Sequence, residues 1–183
     1  MTLTDTPVAG VYCGRLTAFQ DSRGLFAKLF ASPEVASLWQ PRLVRQVNFS
    51  ETEATGTIRG LHLQYPPHAE MKLIVCISGQ VFDVAADLRA DSPTAARHVH
   101  AILSPLDVIV IPEGCAHGFQ ALLPHSRLLY LHSADYAPAS EGGIRYDDSS
   151  LGIAWPLPPA NVSERDLRLP DLAGALSGVT RHV

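Results

Sequence analysis

The chain has 183 residues, 46% apolar and 17% charged, with a net charge of −4. That length suits one domain with a full core, and the composition excludes a disordered chain. The acidic balance without a Lys/Arg-rich run excludes a nucleic-acid footprint; no apolar stretch nears the roughly 20 residues of a membrane span.

The opening MTLTDTPVAG lacks the basic-then-apolar order of a signal peptide. Strands are expected over about 1–50, interrupted by a weak helical segment from Ser32 to Leu38. There SPEVAS offers Ser32 as N-cap and Pro33 in the first turn. Cys13, Cys76 and Cys115 are odd in number and lack CxxC spacing, so free thiols in a reducing cytoplasm are expected.

From about 51 to 155 the periodicity is almost wholly two. RGLHLQ (59–64), KLIVCI, VFDVAADL, HVHAIL, LDVIVI and RLLYLH read as short strands. Turns are signalled by Ser78-Gly79, Asp91-Ser92-Pro93, Ser104-Pro105 and Pro112-Glu113-Gly114. In VFDVAADL, Phe82, Val84, Ala86 and Leu88 share one face and Asp83 and Asp87 the other. Strands this short and regular predict an antiparallel sandwich or barrel. The tail from about 156 to 183 carries helical signal near 163–176. No repeat or linker interrupts the chain, so a single all-β domain over 1–183 is expected.

Alternation puts Tyr130 and His132 on one face of their strand, with Leu129 and Leu131 opposite. It likewise groups His62 with Gln64, against Leu61 and Leu63. Arg59 would point away from His62 unless the strand bulges at Gly60, a residue suited to that. There are only two lysines, Lys28 and Lys72. His98 and His100, in HVH, are expected to be two exposed positions on one strand face.

Five ordered motifs are then informative: RGLHLQ, KLIVCISGQVFDVAADLR, IPEGCAHGF, LLYLHSADYAP, and LGIAWPL with SERD. They closely resemble the RmlC-type nucleotide-sugar 3,5-epimerases, the dTDP-4-dehydrorhamnose 3,5-epimerase family, from about Asp21 to Asp166. The resemblance implies a cupin-type jelly-roll barrel, usually a homodimer. It also implies an isomerase acting on a nucleotide-linked 4-keto-6-deoxy sugar, without metal or coenzyme.

Inverting a carbon beside a ketone requires a base, an acid on the opposite face, and a group that stabilises the enolate. By resemblance His62 is the base, Asp166 its carboxylate partner, Tyr130 the acid, and Lys72 the cation near the ketone. Arg23 and Arg59 match positions that meet the diphosphate. Gln46, Asn48, His117 and Tyr136 match further substrate-binding positions.

Several positions depart from the rhamnose-pathway pattern. Lys28 stands where a Glu is common, Val47-Asn48 where Asp-Asn is common, and Leu63 where an aromatic is common. Leu131 replaces a Lys, and Asp135-Tyr136-Ala137 stands at a Tyr-Tyr pair. They flank the nucleotide and sugar, so dTDP-, GDP- and CDP-linked sugars are all candidate substrates.

Two other readings compete. A metal-dependent cupin needs several His and a carboxylate on one ion, but Gln64 stands where a second ligand would follow His62, leaving His117 as a third. A non-catalytic sugar-nucleotide-binding barrel would not need His62, Asp166, Tyr130 and Lys72 together.

Overall fold

A computed structural model describes residues 1–30 and 33–181. The first strands, β1 (Thr2–Asp5), β2 (Tyr12–Arg15), β3 (Ala18–Asp21) and β4 (Gly24–Ala27), precede a helix α1 (Pro33–Trp39). The expected N-cap Ser32 lies outside the described residues, and the helix body falls where the sequence placed it. Eight strands follow: β5 (Gln46–Thr52), β6 (Ile58–Gln64), β7 (Lys72–Ser78), β8 (Val81–Asp87), β9 (His98–Leu103), β10 (Asp107–Ile111), β11 (Cys115–Ala121) and β12 (Ser126–His132). A 3-10 turn (Pro138–Ser140), β13 (Glu141–Gly143), and helices α2 (Glu164–Leu167) and α3 (Leu172–Arg181) complete the chain.

The strands form two antiparallel sheets ordered β1-β2-β10-β7-β12-β5 and β13-β6-β11-β8-β9, beside a separate β3–β4 hairpin. This is the expected all-β jelly-roll architecture with short helices. The two sheets face each other across a core that includes Ile74, Cys76, Ala85, Ile109, Phe119 and Leu128.

Both sheets are also covered on their outer faces. Leu61, Leu63, Phe82, Val84, Ala86 and Leu88 pack against Ile144, Leu151 and Ala175, the last from α3. Leu73, Val75, Val108 and Leu131 pack against Leu16, Val35 and Trp39. Double coverage explains why β7, β8 and β11 are buried along nearly their whole length, where each large apolar side chain contributes about 1.5–3 kcal/mol. The face of β8 turned to the opposite sheet carries Asp83 and Asp87 on either side of the core residue Ala85, and both are fully enclosed.

Asp87 is satisfied there by the Arg89 guanidinium at 2.8 Å and by the hydroxyl of Thr94 at 2.7 Å, with the Ser92 hydroxyl also donating. On the edge strand β9, His100 is exposed and stacks on Phe82 with ring centroids 4.6 Å apart. His98 is only half-buried, not exposed as the alternation suggested, because the outer layer reaches it.

Candidate active site

The site begins with a bulge. On β11, His117 pairs with His62 and Phe119 with Arg59, so Gly60 and Leu61 together oppose the single Gly118. Gly60 has φ +121, and a Cβ there would lie 2.5 Å from Gly118 Cα and 2.8 Å from the His117 oxygen. Only glycine fits. The extra residue turns both Arg59 and His62 toward one cleft of about 1030 Å³, removing the conflict that strict alternation posed.

His62 Nε2 lies 2.7 Å from Asp166 Oδ1, and Oδ2 of the same carboxylate accepts the Gly60 N–H at 3.0 Å. Asp166 is held by α2, whose N-cap Ser163 accepts the Asp166 N–H at 3.1 Å. The cap thus fixes the carboxylate's backbone and leaves its side chain for His62. Burial pushes the Asp166 carboxyl up, but the bonds from His62 and Gly60 outweigh it and hold it below the usual range. An ionised Asp166 can only accept, so the Nε2–H of His62 donates to it and Nδ1 is left as the basic nitrogen of the ring.

The facing sheet supplies Tyr130 from β12. Its hydroxyl lies 3.2 Å from Ser50 Oγ, and burial drives its pKa well above the ordinary phenol value. It therefore carries its proton throughout the working pH range and can act as an acid. His117 packs edge-on against the Tyr130 ring at 6.0 Å. Its Nε2 lies 2.9 Å from Asp83 Oδ2, whose carboxyl is raised by burial against the opposing pull of His117 and Lys72.

Lys72, at the start of β7, is buried, and its ammonium donates to the His62 carbonyl at 3.0 Å. It also pairs with Glu70 Oε1 at 3.1 Å. Glu70 Oε2 lies 3.2 Å from both His132 Nδ1 and Gln64 Nε2. Gln64 is otherwise spent on loops, donating to the His68 and Asp135 carbonyls and accepting from the Ala137 N–H. Three imidazoles of the cleft, His62, His117 and His132, are each held by their own carboxylate, Asp166, Asp83 and Glu70. Among the described residues no three His, Cys, Asp or Glu side chains converge as a metal-binding group.

At the outer end of the cleft, Gln46 donates to Asn48 Oδ1 at 2.8 Å and accepts from the Tyr136 N–H at 3.0 Å. The Tyr136 hydroxyl donates to Glu141 Oε2 at 2.7 Å, and Glu141 pairs with Arg165. Arg59 crosses the opening and donates to the Glu51 carbonyl at 3.2 Å. Of the ten residues singled out in the sequence, nine line this cleft: His62, Tyr130, Asp166, Lys72, Gln46, Asn48, Arg59, His117 and Tyr136. Arg23 does not. It sits in the β3–β4 hairpin, paired with Asp21, in a second concavity lined by Phe19, Leu25 and Phe26.

Glu70, Asp83, His132, Glu141 and Arg165 also line or support the cleft and were not singled out. Asp83 and His132 carried a signal, a polar residue at the inward phase of an apolar strand. Glu70 carried none, and Arg165 stood within SERD, where only Asp166 was given a role.

The jelly roll sets a carboxylate-held imidazole on one sheet opposite a half-buried phenol on the other, the base and acid that an epimerase needs on the two faces of a carbon. A family model described as dTDP-4-dehydrorhamnose 3,5-epimerase matches residues 5–174. The dTDP-4-dehydrorhamnose 3,5-epimerase of Mycobacterium tuberculosis is 40% identical over 160 residues, 84% of this chain and 79% of that protein. The crystal structure of a 4-keto-6-deoxy sugar epimerase from the novobiocin gene cluster of Streptomyces spheroides superposes with a TM-score of 0.90. It is 33% identical, over 98% of this chain and 92% of that one. A 3'-monoepimerase of Streptomyces bikiniensis, solved in complex with dTDP-quinovose, gives a TM-score of 0.86 at 30% identity, over 95% of this chain and 90% of that one. The chain belongs to the dTDP-4-dehydrorhamnose 3,5-epimerase family. It is an isomerase, an epimerase of nucleotide-linked 4-keto-6-deoxy sugars.

Proposed function

We propose that the substrate is a dTDP-linked 4-keto-6-deoxy sugar, inverted at carbon 3, carbon 5 or both in succession by His62 and Tyr130. The observation that carries this reading is the placement of the His62–Asp166 pair and Tyr130 on opposite sheets of one cleft. His62 Nδ1 removes the proton beside the ketone, and the released electron pair moves onto the carbonyl oxygen. Lys72 donates to that oxygen as its charge grows. The Tyr130 hydroxyl then delivers a proton to the opposite face.

Arg59 and Arg165, both at the cleft's outer end, meet the diphosphate, with Gln46, Asn48 and Tyr136 beyond it. The dTDP assignment rests on the relatives' substrates. The second reading, a GDP- or CDP-linked sugar, is favoured by the exchanges at Lys28 and Val47. Turnover of the three nucleotide forms of one 4-keto-6-deoxy sugar separates them. A kcat/KM for the dTDP form at least tenfold above the others is expected; preference for GDP or CDP overturns the assignment.

The working form we propose is a homodimer of single-domain chains. Phe19, Leu25 and Phe26 are 62%, 55% and 62% exposed on a hairpin that also carries Arg23, away from its own chain's cleft. A second copy would cover that apolar surface and offer Arg23 a diphosphate. Sedimentation should give a dimer that Phe26→Glu converts to a monomer; an unaltered sedimentation of that variant contradicts this. No helix among the described residues is long and apolar enough to cross a membrane. The free thiols Cys13, Cys76 and Cys115 support a cytoplasmic setting.

A further inference from the structure

Along the cleft, side chains from three adjacent strands, Glu70 and the Tyr136 N–H form a chain of hydrogen bonds that converges on Glu70. The Tyr136 N–H donates to Gln46 Oε1, Gln46 donates to Asn48 Oδ1, and Asn48 Nδ2 lies 3.4 Å from His132 Nε2. An imidazole that accepts at Nε2 carries its proton on Nδ1, and Nδ1 lies 3.2 Å from Glu70 Oε2. Glu70 Oε1 completes the chain at Lys72 Nζ. The register explains the alignment: His132 pairs with Gln46 on one side and Lys72 on the other, so the three side chains form a single inward row.

We propose that His132 is a positioning residue, which fixes Glu70 so that Glu70 aims the Lys72 ammonium at the substrate's keto oxygen. The inference rests on the reading of Lys72 given above. Glu70 is nearly enclosed, at 9% side-chain exposure, so its carboxylate has little water to orient it. Burial pushes its carboxyl up, and His132 and Lys72 together outweigh that and keep it ionised. With His132 removed, Oε2 keeps only the Gln64 amide, which is shared with two backbone carbonyls, so the carboxylate loses its stronger anchor and the ammonium shifts with it. Two of that ammonium's donors are set by the His62 carbonyl and Glu70, which leaves the third to meet the ketone. The row also ties the nucleotide end of the cleft, at Tyr136 and Gln46, to the cation at the sugar end.

The test is a set of steady-state kinetics on the full-length protein with the dTDP-linked 4-keto-6-deoxy sugar. His132→Leu is expected to lower kcat by about ten- to a hundredfold, the scale of a misplaced catalytic group, with KM changed by less than about threefold. His132→Asn puts an amide N–H where Nδ1 stands and should keep most of kcat. In the pair His132→Leu with Glu70→Gln, the double variant should be no worse than Glu70→Gln alone, because both act on Lys72 through one group.

A wild-type kcat in His132→Leu overturns the proposal, as does a fully additive double variant, which would mean His132 meets the substrate itself. If His132→Leu does not fold, the Asn variant decides: a retained kcat supports the proposal, and a folded but inactive protein overturns it. Lys72→Met separates the two readings. If it turns over at the wild-type rate, the role of Lys72 fails whatever His132 does. If it is crippled while His132→Leu is not, only the present inference fails.

Discussion

Asp166 grips both ends of the β6 bulge at once, with one carboxylate oxygen on His62 Nε2 at 2.7 Å and the other on the Gly60 N–H at 3.0 Å. The contact joins RGLH to SERD across more than a hundred residues of sequence. It makes the tautomer of His62 and the shape of its strand depend on one side chain. Asp166→Asn should therefore leave the fold in place, since the amide can still bond, yet present the wrong tautomer at Nδ1. A loss in kcat of about 10²–10⁴ is expected. Kinetics beside a melting curve checks this, and near-normal turnover would remove Asp166 from the mechanism.

Tyr130 is half-buried, and the desolvation of its hydroxyl keeps its proton in place, which suits an acid and not a base. Tyr130→Phe should still exchange the substrate's proton with solvent through His62, but net inversion should fall by at least about a hundredfold. Comparing deuterium incorporation with product formation separates the two steps. Inversion at the wild-type rate would assign the acid to another group.

Gly60→Ala tests the bulge. Its Cβ would collide with Gly118 Cα and the His117 carbonyl, both backbone, at a φ that L side chains rarely adopt. A loss of roughly 2 kcal/mol or more is expected, with activity falling beyond what the fraction unfolded explains. A urea melt with assays in the folded range measures both; an Ala variant of unaltered stability would mean the strand does not bulge there.

Much of the cleft's lining follows period two, and what the pattern misses has physical causes. His62 and Gln64 against Leu61 and Leu63, and Tyr130 and His132 against Leu129 and Leu131, segregate as alternation requires, because one face of each strand meets the cleft and the other an apolar layer. Asp83 fell on the expected face, but its burial against His117 depends on β8 pairing with β11, a contact between strands about thirty residues apart. Glu70 sits in a Pro-containing loop with no period to place it. The strands β1 to β4 are only four residues each, too short for alternation to stand out, and their pairing with β10 or with each other comes from tertiary structure. Arg23 matched a site motif yet lies outside its own chain's cleft, which no single-chain pattern can reveal.

Asp87 gives a prediction about pH and stability. Burial raises its carboxyl, but Arg89, Ser92 and Thr94 outweigh that and hold it at about 2. The folded pKa lies below the unfolded value of ~3.9, so the ionised form stabilises the fold. That contribution, about 2–3 kcal/mol, is complete at neutral pH and is lost as pH falls from about 4 toward 2. Urea unfolding of the protein and of Asp87→Asn should differ by that amount at pH 7 and converge near pH 2. A gap that does not change with pH would mean that the Asp87 charge contributes nothing.

His62, across the cleft from Tyr130, is placed to remove a proton beside a ketone. Proton NMR in deuterated water, with dTDP-linked 4-keto-6-deoxy sugar and EDTA present, reads that step directly. The signals at carbon 3, carbon 5 or both should disappear with the wild-type protein and persist with folded His62→Asn, showing at once which carbons are touched. Equal loss of signal in the two proteins, or none in either, would contradict the account.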